Sequence, residues 1–346
     1  MTKIELNSLT LEELEKYMFI IGEKKYRGEQ LFRYIHDNQG NEILDITVFS
    51  KGLRDKLERL GKISQMEVFK RFDSKLDSTK KYLFLLEDNN IIEGVAMEYE
   101  HGWTACISTQ VGCRMGCAFC ASTKEGLVRN LSAGEMANQI YTMEKDLNIR
   151  INNIVLMGSG EPLDNYENIL KFIKIIHDEK GHNTSYRNIT LSTCGIVPKI
   201  YALADEGLPI TLSISLHSPF DEIRKKIMPI GSKYTIENII KACKYYHDRT
   251  SRRITIEYTL IEGVNDSLED INQLKEVLHN LNCHVNLIPL NPIKEFDKVR
   301  SSNSNINRFK RELNKSNIST TIRKEMGGDI NAACGQLRRR YTGDIR

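Results

Sequence analysis

The sequence has no long hydrophobic run and no strong excess of one charge. No uninterrupted apolar stretch approaches the ~18 residues of a membrane span, and no apolar segment near the N-terminus resembles a secretory signal. Lysine and arginine together number 49 against 46 aspartate and glutamate residues, a net charge of +3, which alone does not indicate nucleic acid. We therefore expect a cytoplasmic protein without a membrane partner. At 346 residues and 40% hydrophobic, one large domain with a smaller one is predicted.

The eight cysteines indicate reduced thiols, metal ligation or catalysis, because no secretory signal accompanies them. Three of them form a CxxxCxxC motif at Cys113, Cys117 and Cys120. Three thiolates at this spacing bind three irons of a [4Fe–4S] cluster and leave the fourth iron open to a substrate or cofactor. The motif is typical of radical S-adenosylmethionine (SAM) enzymes, in which the open iron binds SAM.

A structural zinc site is the main alternative for these cysteines. Zinc prefers four ligands, usually in two pairs. The neighbouring cysteines along the chain are Cys106 and Cys194, and the nearest histidines are His101 and His182, so no second pair lies at zinc-ribbon spacing. A redox CxxC at residues 117–120 would leave the first cysteine of the motif without a role. The spacing therefore favours iron–sulfur.

The hydrophobic pattern changes at about residue 95. Residues 9–60 show helical periodicity, with Ser8 and Thr10 as candidate caps, and residues 82–86 and 91–99 predict a hairpin with its turn at 88–90. Short apolar strands then alternate with amphipathic helices, which implies parallel βαβ units. The predicted strands are 104–109, 153–157, 188–193, 210–216, 253–260 and 284–289, and the predicted helices include 132–146, 165–178, 235–248 and 268–280.

These patterns predict an α/β fold, a partial (β/α)6 barrel preceded by a small helical N-terminal domain with a β-hairpin. The expected division is a helical accessory domain at residues 1–80, a hairpin linker at 81–98, the barrel core at 99–330 and a C-terminal segment at 331–346. In barrels of this kind the chemistry lies at the carboxyl ends of the strands, where the candidate polar residues also fall.

The candidate binding residues follow successive predicted strands. Gly160 and Glu161 lie in the segment Gly-Ser-Gly-Glu-Pro at 158–162, where glycines permit close backbone approach and the carboxylate could accept a hydrogen bond from an ammonium group. A tight strand-to-helix turn would explain the segment equally well. After an open-iron motif, it is interpreted as the element that holds the amino group of SAM. Ser192, Ser215, His217 and Asn291 would then bind the carboxylate, ribose and adenine, although each alone could be a strand-end polar residue.

The sequence resembles the RlmN/Cfr family of radical SAM RNA methyltransferases over nearly its whole length. The resemblance rests on residues 26–32, the run from 106 to 113, the CxxxCxxC motif, GxGEP, residues 215–218 and the segment 329–337, which is the most specific. Ser159 departs from the methionine or isoleucine more frequent there. The resemblance implies one [4Fe–4S] cluster and two SAM molecules per turnover. It implies SAM contacts at Gly160, Glu161, Ser192, Ser215, Leu216, His217 and Asn291.

The resemblance also implies the catalytic residues. Cys334 corresponds to the cysteine that takes a methyl group from SAM, and a radical made from a second SAM removes hydrogen from that methyl. The carbon then adds to an RNA adenine, Cys106 attacks sulfur to release the RNA, and a Cys106–Cys334 disulfide remains. Glu93 corresponds to the proton acceptor. Without the resemblance, Cys106 would be interpreted as a buried packing residue and Glu93 as a surface carboxylate. Cys194, Cys243 and Cys283 match no catalytic position and are predicted to pack.

The implied substrates are adenosine 2503 of 23S rRNA and adenosine 37 of tRNAs, methylated at C2. A Cfr-type methylation at C8 of the same rRNA adenosine remains an alternative, as does a non-enzymatic iron–sulfur or zinc protein that binds RNA. The N-terminal domain and Arg338–Arg340 are the candidates for phosphate contacts. We also expect a monomer and an electron donor such as flavodoxin or ferredoxin.

Overall fold

A computed structural model describes residues 3–338 of the chain and the backbone of residues 340 and 341. In this part of the chain the α-helices are α1 Leu11–Ile20, α2 Tyr26–His36, α3 Lys51–Leu60, α4 Ala133–Leu147, α5 Tyr166–His177, α6 Val197–Asp205, α7 Asp221–Ile227, α8 Ile236–Thr250, α9 Leu268–Val277 and α10 Asn303–Lys315. The strands are β1 Ile4–Glu5, β2 Gly61–Lys62, β3 Met66–Asp73, β4 Lys80–Leu86, β5 Asn90–Tyr99, β6 Gly102–Cys106, β7 Gln110–Gly112, β8 Leu127–Asn130, β9 Ile151–Leu156, β10 Ile189–Thr193, β11 Thr211–Ser215, β12 Ile254–Leu260, β13 Cys283–Pro289, β14 Ser319–Ile322 and β15 Arg340–Tyr341. None of the described helices is both long and apolar enough to cross a bilayer.

Side-chain caps fix where several helices begin. Thr10 caps α1, and its hydroxyl and the Glu13 carboxylate form a capping box, which satisfies N–H groups that have no partner within the helix. Thr10 was a predicted cap. Ser8, the other candidate, instead accepts the N–H of Gly134 at 2.8 Å, so it joins the N-terminal segment to the start of α4. Ser132 and Glu135 form a second capping box at that start.

One large sheet organises the molecule. Its strand order is β14-β13-β12-β11-β10-β9-β6-β5-β4-β3, and β15 pairs with β5. The seven strands from β14 to β6 are parallel neighbours, and each crossover between them carries at least one helix from α4 to α10. β5, β4 and β3 extend the sheet with antiparallel pairing.

The parallel part of the sheet is curved into an open barrel. Cys106 at the end of β6 and Met157 after β9 line the same cavity as Ile288 on β13 and Arg323 after β14. Both ends of the parallel run therefore reach one cavity, although the described pairing of β14 is to β13 rather than to β6. The α/β fold with a partial barrel and a helical N-terminal part is confirmed.

All six predicted barrel strands are present, with ends that differ by a few residues. The first, predicted to reach residue 109, stops at Cys106 because the chain then leaves β9 and forms β7. The seventh parallel strand, β14, was not predicted; its sequence Ser-Thr-Thr-Ile is short, and three of its four residues are polar. The predicted hairpin corresponds to β4 and β5, and its strands are hydrogen-bonded into the barrel sheet instead of lying apart as a linker.

The N-terminal helices share one hydrophobic core with the barrel. Leu14 of α1 and Phe32 of α2 belong to the same buried cluster as Ile140 of α4 and Ile175 of α5. His36 also hydrogen-bonds through Nδ1 to the Tyr141 hydroxyl at 3.0 Å. The division at residues 80, 98 and 330 stays a proposal, because the described packing is continuous across the first two boundaries.

Candidate active site

The loop that carries the CxxxCxxC motif lies between β7 and β8, which pair with each other as a small antiparallel sheet. The N–H of Cys113 donates to the carbonyl of Gly126 at 3.0 Å, and the N–H of Cys120 donates to the carbonyl of Cys117 at 3.1 Å. The N–H of Ala118 donates to the carbonyl of Ile227 at the end of α7, at 2.9 Å. These bonds hold the loop against the barrel mouth independently of any bound group.

One large cavity brings the predicted site residues together. Its empty space, counted together with the open solvent at its mouth, is about 940 Å³. We call it the main cavity. Its walls include the predicted residues Cys113, Cys117, Cys120, Gly160, Glu161, Ser192, Ser215, His217, Asn291 and Cys334.

The three cysteines of the motif provide a donor set that fits a [4Fe–4S] cluster. Among the described residues, no three His, Cys, Asp or Glu side chains are grouped closely enough to hold a single metal ion. Three cysteines on one loop are the donor set that an open [4Fe–4S] cluster takes from a protein. All three thiols line the main cavity, so a cluster held by them would supply its chemistry to a ligand bound there.

The thiols of the motif resist ionisation without a metal. Burial raises the pKa of Cys113 to about 12, and the neighbouring charge of Cys120 acts in the same direction. Burial, followed by the charges of Cys120 and Cys113, also raises the pKa of Cys117 well above its usual value. Because ligation requires thiolates, binding of iron must release these protons. We therefore expect cluster loading to be favoured by alkaline pH.

The Gly-Ser-Gly-Glu-Pro segment follows β9 and fits tightly against the loop after β6. Gly160 has φ of +115°, and a Cβ there would lie 2.6 Å from the Thr109 hydroxyl. The carboxylate of Glu161 accepts the N–H of Cys194 at 2.8 Å and the N–H of Leu163 at 3.1 Å. Burial raises the pKa of Glu161 despite these bonds. A buried carboxylate of this kind gains most from a cationic ligand group.

His217 lies at the end of β11 with φ of +57° and lines the main cavity. Its Nδ1 accepts the N–H of Thr259 at 2.9 Å. Burial, with the charge of Arg224 nearby, lowers the pKa of His217 to about 3, so the ring is neutral at pH 7. A neutral ring that accepts at Nδ1 carries its proton on Nε2, which is therefore a hydrogen-bond donor.

Ser192 and Ser215 also line the main cavity, whereas Leu216 is fully buried and is not among its lining residues. The carbonyl of Leu216 accepts from the Nε of Arg224 at 3.2 Å. The N–H of Leu216 donates to the carbonyl of Glu257 at 3.1 Å, and the predicted contact of Leu216 with SAM stays a prediction.

The C-terminal segment that carries Cys334 is docked beside the cysteine loop. The N–H of Ala121 donates to the carbonyl of Gly335 at 2.7 Å, and the Ser122 hydroxyl donates to the carbonyl of Leu337 at 2.7 Å. Asn291 donates through Nδ2 to the carbonyl of Cys334 at 3.0 Å. These bonds hold the Cys334 side chain at the wall of the main cavity.

A smaller cavity, which we call the side cavity, adjoins the main one. Cys334, Asn291 and Arg323 line both cavities, and Cys106 lines the side cavity. Burial and the nearby charge of Cys334 raise the pKa of Cys106 to about 12. The structure thus places the two predicted catalytic thiols, both unbridged, on one cavity wall.

Glu93 is not at the surface; it is fully buried on β5. Its carboxylate pairs with the Lys81 ammonium at 3.0 Å and accepts the N–H of Arg338 at 3.1 Å. Val95 of β5 is directly opposite Cys106 of β6. Since side chains two residues apart share a sheet face, Glu93 lies on the same face as Cys106, although it lines neither cavity.

Two basic residues near the C-terminal segment are paired with carboxylates, and two in the N-terminal part are exposed. Lys81 is buried in its ion pair with Glu93, and the Arg338 guanidinium makes two bonds to Glu295 at 2.7 and 2.8 Å. The side chain of Arg340 and all of Arg339 lie outside the described residues. Lys24 and Lys25 are exposed at the start of α2, where phosphate contact is sterically open.

Sequence reasoning missed Arg323 and Cys194. Arg323 directly follows β14, so it obeys the strand-end rule, but that strand was not predicted. The nearby Cys334 raises the pKa of Arg323 above its ordinary value. Cys194 was assigned to packing and is buried, yet it lines the main cavity. Cys243 and Cys283 do pack in the core as predicted.

Comparisons with known proteins agree with this geometry. Residues 107–274 match the Radical SAM superfamily model, and residues 4–63 match the ribosomal RNA large subunit methyltransferase N-terminal domain. The chain is 55% identical to the probable dual-specificity RNA methyltransferase RlmN of Alkaliphilus oremlandii, with 99% of both chains covered. It is 50% identical to that of Clostridioides difficile, with 98% of both covered.

The chain belongs to the RlmN family. A crystal structure of a radical SAM methyltransferase from Sphaerobacter thermophilus is similar over 96% of this chain and 99% of the other, with a TM-score of 0.90 and 40% identity. RlmN-family membership within the radical SAM superfamily implies a [4Fe–4S] cluster and SAM as cofactors. The convergence of the three motif cysteines on the main cavity fits both.

Proposed function

We propose that this protein methylates C2 of adenosine 2503 in 23S rRNA and of adenosine 37 in tRNAs, with Cys334 as methyl carrier. The observation that carries the proposal is the position of Cys334, which lines both the main cavity and the side cavity that contains Cys106. One side chain therefore reaches the expected SAM site and the second thiol. The RlmN names of the relatives favour C2 over the Cfr-type C8 reaction.

The chemistry explains the need for a carrier. C2 of adenine bears an unactivated C–H and has no electron pair to attack a methyl cation. When bound, the cluster and SAM supply a carbon radical strong enough to remove hydrogen from a methyl group. Tethering that methyl to Cys334 keeps the one-carbon unit at short range from the adenine. Arg323 lines both cavities, and its positive charge opposes the rise in the pKa of Cys106.

The residues around the carrier are proposed to act in turn. The Cys334 thiolate displaces S-adenosylhomocysteine from SAM and gains a methyl group. After the carbon has bonded to C2, the Cys106 thiolate attacks the Cys334 sulfur and forms the disulfide. The electron pair of the broken sulfur–carbon bond remains on the methylene carbon, which takes a proton and becomes the methyl group of the product. Glu93 is proposed to accept the C2 proton. To accept that proton, the Glu93 carboxylate must give up its hydrogen bond to the Arg338 N–H. We therefore propose that the end of the C-terminal segment moves during turnover.

The substrate adenine must leave its stack to reach the side cavity. Lys24 and Lys25, exposed in the N-terminal part, are proposed to hold RNA phosphates. We also propose a cytoplasmic monomer that receives electrons from a flavodoxin or ferredoxin.

The proposal is tested by an anaerobic assay with reconstituted protein, SAM, dithionite and a 23S rRNA fragment, followed by mass spectrometry of the nucleosides. We expect 2-methyladenosine. Cys334→Ala should abolish it, and Cys106→Ala should accumulate a covalent protein–RNA adduct. Cys243→Ala is the matched control, because this core cysteine touches neither cavity and its loss should leave methylation intact.

Other products would change the conclusion. 8-Methyladenosine would assign the Cfr-type reaction. Deoxyadenosine without methylated RNA would retain the radical SAM chemistry and refute the substrate. Full activity of Cys334→Ala would refute the carrier role.

A further inference from the structure

Arg224 on α7 is a fully buried cation behind the wall of the main cavity. Its relative exposure is 0%. The guanidinium donates to the carbonyls of Cys194 at 2.6 Å and Ser215 at 3.5 Å, two residues that line the cavity. It also donates to the carbonyls of Leu216 at 3.2 Å and Tyr234 at 3.4 Å. These acceptors are uncharged, and no ion pair of Arg224 is present among the described residues.

A buried charge without a counter-ion is costly, because its attraction to backbone dipoles replaces only part of its hydration. The acidic side chain that acts on Arg224 is Asp221, but that carboxylate accepts the N–H of Ile236 at 2.9 Å. An arginine side chain keeps its charge in proteins. The fold therefore maintains a positive charge whose compensation must come from elsewhere.

The groups placed to supply that compensation are the cysteines beside the main cavity, once metal ligation has converted the motif thiols to thiolates. Burial lowers the pKa of Arg224, and the potential negative charges of Cys194 and then Cys117 act most strongly against that effect. Arg224 in turn opposes the rise in the pKa of Cys117. Cys117 and Cys194 pack with Ile227 and Met228, so this region contains little water to screen the interaction.

The backbone also couples Arg224 to the cysteine loop. α7 ends at Ile227, whose carbonyl accepts the N–H of Ala118 at 2.9 Å, and Ala118 directly follows Cys117. The guanidinium is thus held from one side by α7 and from the other by the ends of β10 and β11. Its distance from the loop is consequently fixed.

We propose that Arg224 is a positioning residue that raises the reduction potential of the cluster held by Cys113, Cys117 and Cys120. The three thiolates make the loaded site negative, and one-electron reduction makes it more negative without breaking or forming a bond. A fixed nearby cation stabilises the reduced form more than the oxidised form. The inference rests on the cofactor and is independent of the RNA substrate.

The test is a redox titration of the reconstituted protein with dithionite and mediators, in which EPR measures the reduced fraction. Arg224→Gln should lower the equilibrium constant for reduction roughly tenfold, which is about 59 mV for a one-electron couple. Arg224→Lys retains the charge, so its equilibrium constant for reduction should lie within about threefold of the wild-type value. Iron content and EPR line shape confirm that each variant holds an intact cluster.

Arg114→Gln is the matched control. Arg114 is adjacent to Cys113 in sequence, but its side chain is 62% exposed and paired with Asp164, so solvent screens its charge and the potential should not change. An unchanged potential in Arg224→Gln with full iron content would refute the proposal and leave Arg224 a purely structural link between carbonyls. If Arg224→Gln does not retain iron, Arg224→Met, which keeps the length of the side chain without its charge, is titrated instead: a roughly tenfold lower equilibrium constant for reduction supports the charge effect, and an unchanged one overturns it. If the wild-type protein has the expected potentials but does not methylate RNA, the proposed function is refuted and this inference is not.

Discussion

The glycines before Glu161 show how a single residue determines the shape of the proposed SAM site. Gly160 has a φ that residues with a Cβ rarely adopt, and an added Cβ would also lie 2.8 Å from the backbone nitrogen of Gln110. Both effects act on the loop between Met157 and Glu161, which lines the main cavity. Ser159 contributes its backbone there, and its carbonyl accepts the N–H of Thr109 at 2.8 Å. The departure from the family pattern at Ser159 therefore leaves the loop hydrogen bonding in place.

We predict that Gly160→Ala weakens SAM binding at least tenfold, about 1.4 kcal/mol, because the loop must shift to relieve the collision. Equilibrium dialysis with the reconstituted protein measures the change. Gly207→Ala is the control, since Gly207 also has positive φ but has no atom within 4 Å of an added Cβ. It should lose about 1–2 kcal/mol of stability and bind SAM normally. Equal SAM affinity in both variants would contradict the assignment of this loop.

At the scale of elements, Glu144 connects four segments. Its carboxylate accepts from His182 after α5 at 2.9 Å, from the N–H of Ile151 on β9 at 2.7 Å and from Gln39 after α2 at 2.5 Å. Burial acts to raise the pKa of Glu144, but the hydrogen bond and charge of His182 outweigh it, so the pKa is lowered from 4.5. This polar group lies where the N-terminal helices, α4 and the barrel meet.

The sign of the pH dependence follows from the lowered pKa. The folded protein holds the proton of the Glu144 carboxyl group less tightly than the unfolded chain does. The contribution of the Glu144 carboxylate to stability is therefore fully present above pH 4.5 and is lost as pH falls through the lower pKa of the folded state. We predict that Glu144→Gln costs about 1–3 kcal/mol at pH 7 and progressively less in acid, measured as urea midpoints. Glu237→Gln is the control, because Glu237 forms an exposed i,i+4 pair with Lys241. It should change neither the urea midpoint at pH 7 nor the dependence of that midpoint on pH. A pH-independent loss in Glu144→Gln would refute the linkage.

At the scale of the whole molecule, the shared core decides how the protein unfolds. Phe32 of α2 and Phe172 of α5 are both fully buried in one hydrophobic cluster, although residues 4–63 match a family model of their own. Removal of the N-terminal helices would expose the apolar surface of α4 and α5. The N-terminal part is thus thermodynamically coupled to the barrel.

We predict that Phe32→Ala destabilises the barrel as well as the N-terminal helices, by about 3–5 kcal/mol. Hydrogen exchange of α2 and α5 should therefore accelerate together, and calorimetry should show one transition. Phe19→Ala is the control, because that side chain is 67% exposed and its removal should leave both helices unchanged. Separate melting of α2 with normal protection of α5 would contradict the coupling.

The sequence by itself determined the features that depend on short spacing. The CxxxCxxC motif places three thiols on one short loop, and apolar strands alternating with amphipathic helices specify a parallel sheet, so the cluster ligands and barrel were predictable. Strand ends also identified Glu161, Ser192 and His217, because parallel strands bring their carboxyl ends to one edge. The catalytic assignments of Cys106, Cys334 and Glu93 came from family resemblance and remain predictions.

Only the tertiary structure decided the contacts between distant segments. Arg224 lies on a short helix rich in charged residues, and it is buried because four strand-end and loop carbonyls surround it. Lys81 is adjacent in sequence to a second lysine, and it is buried because β4 places it beside Glu93. Charge and polarity along a chain do not reveal which partner compensates a buried ion. That depends on packing between elements far apart in sequence.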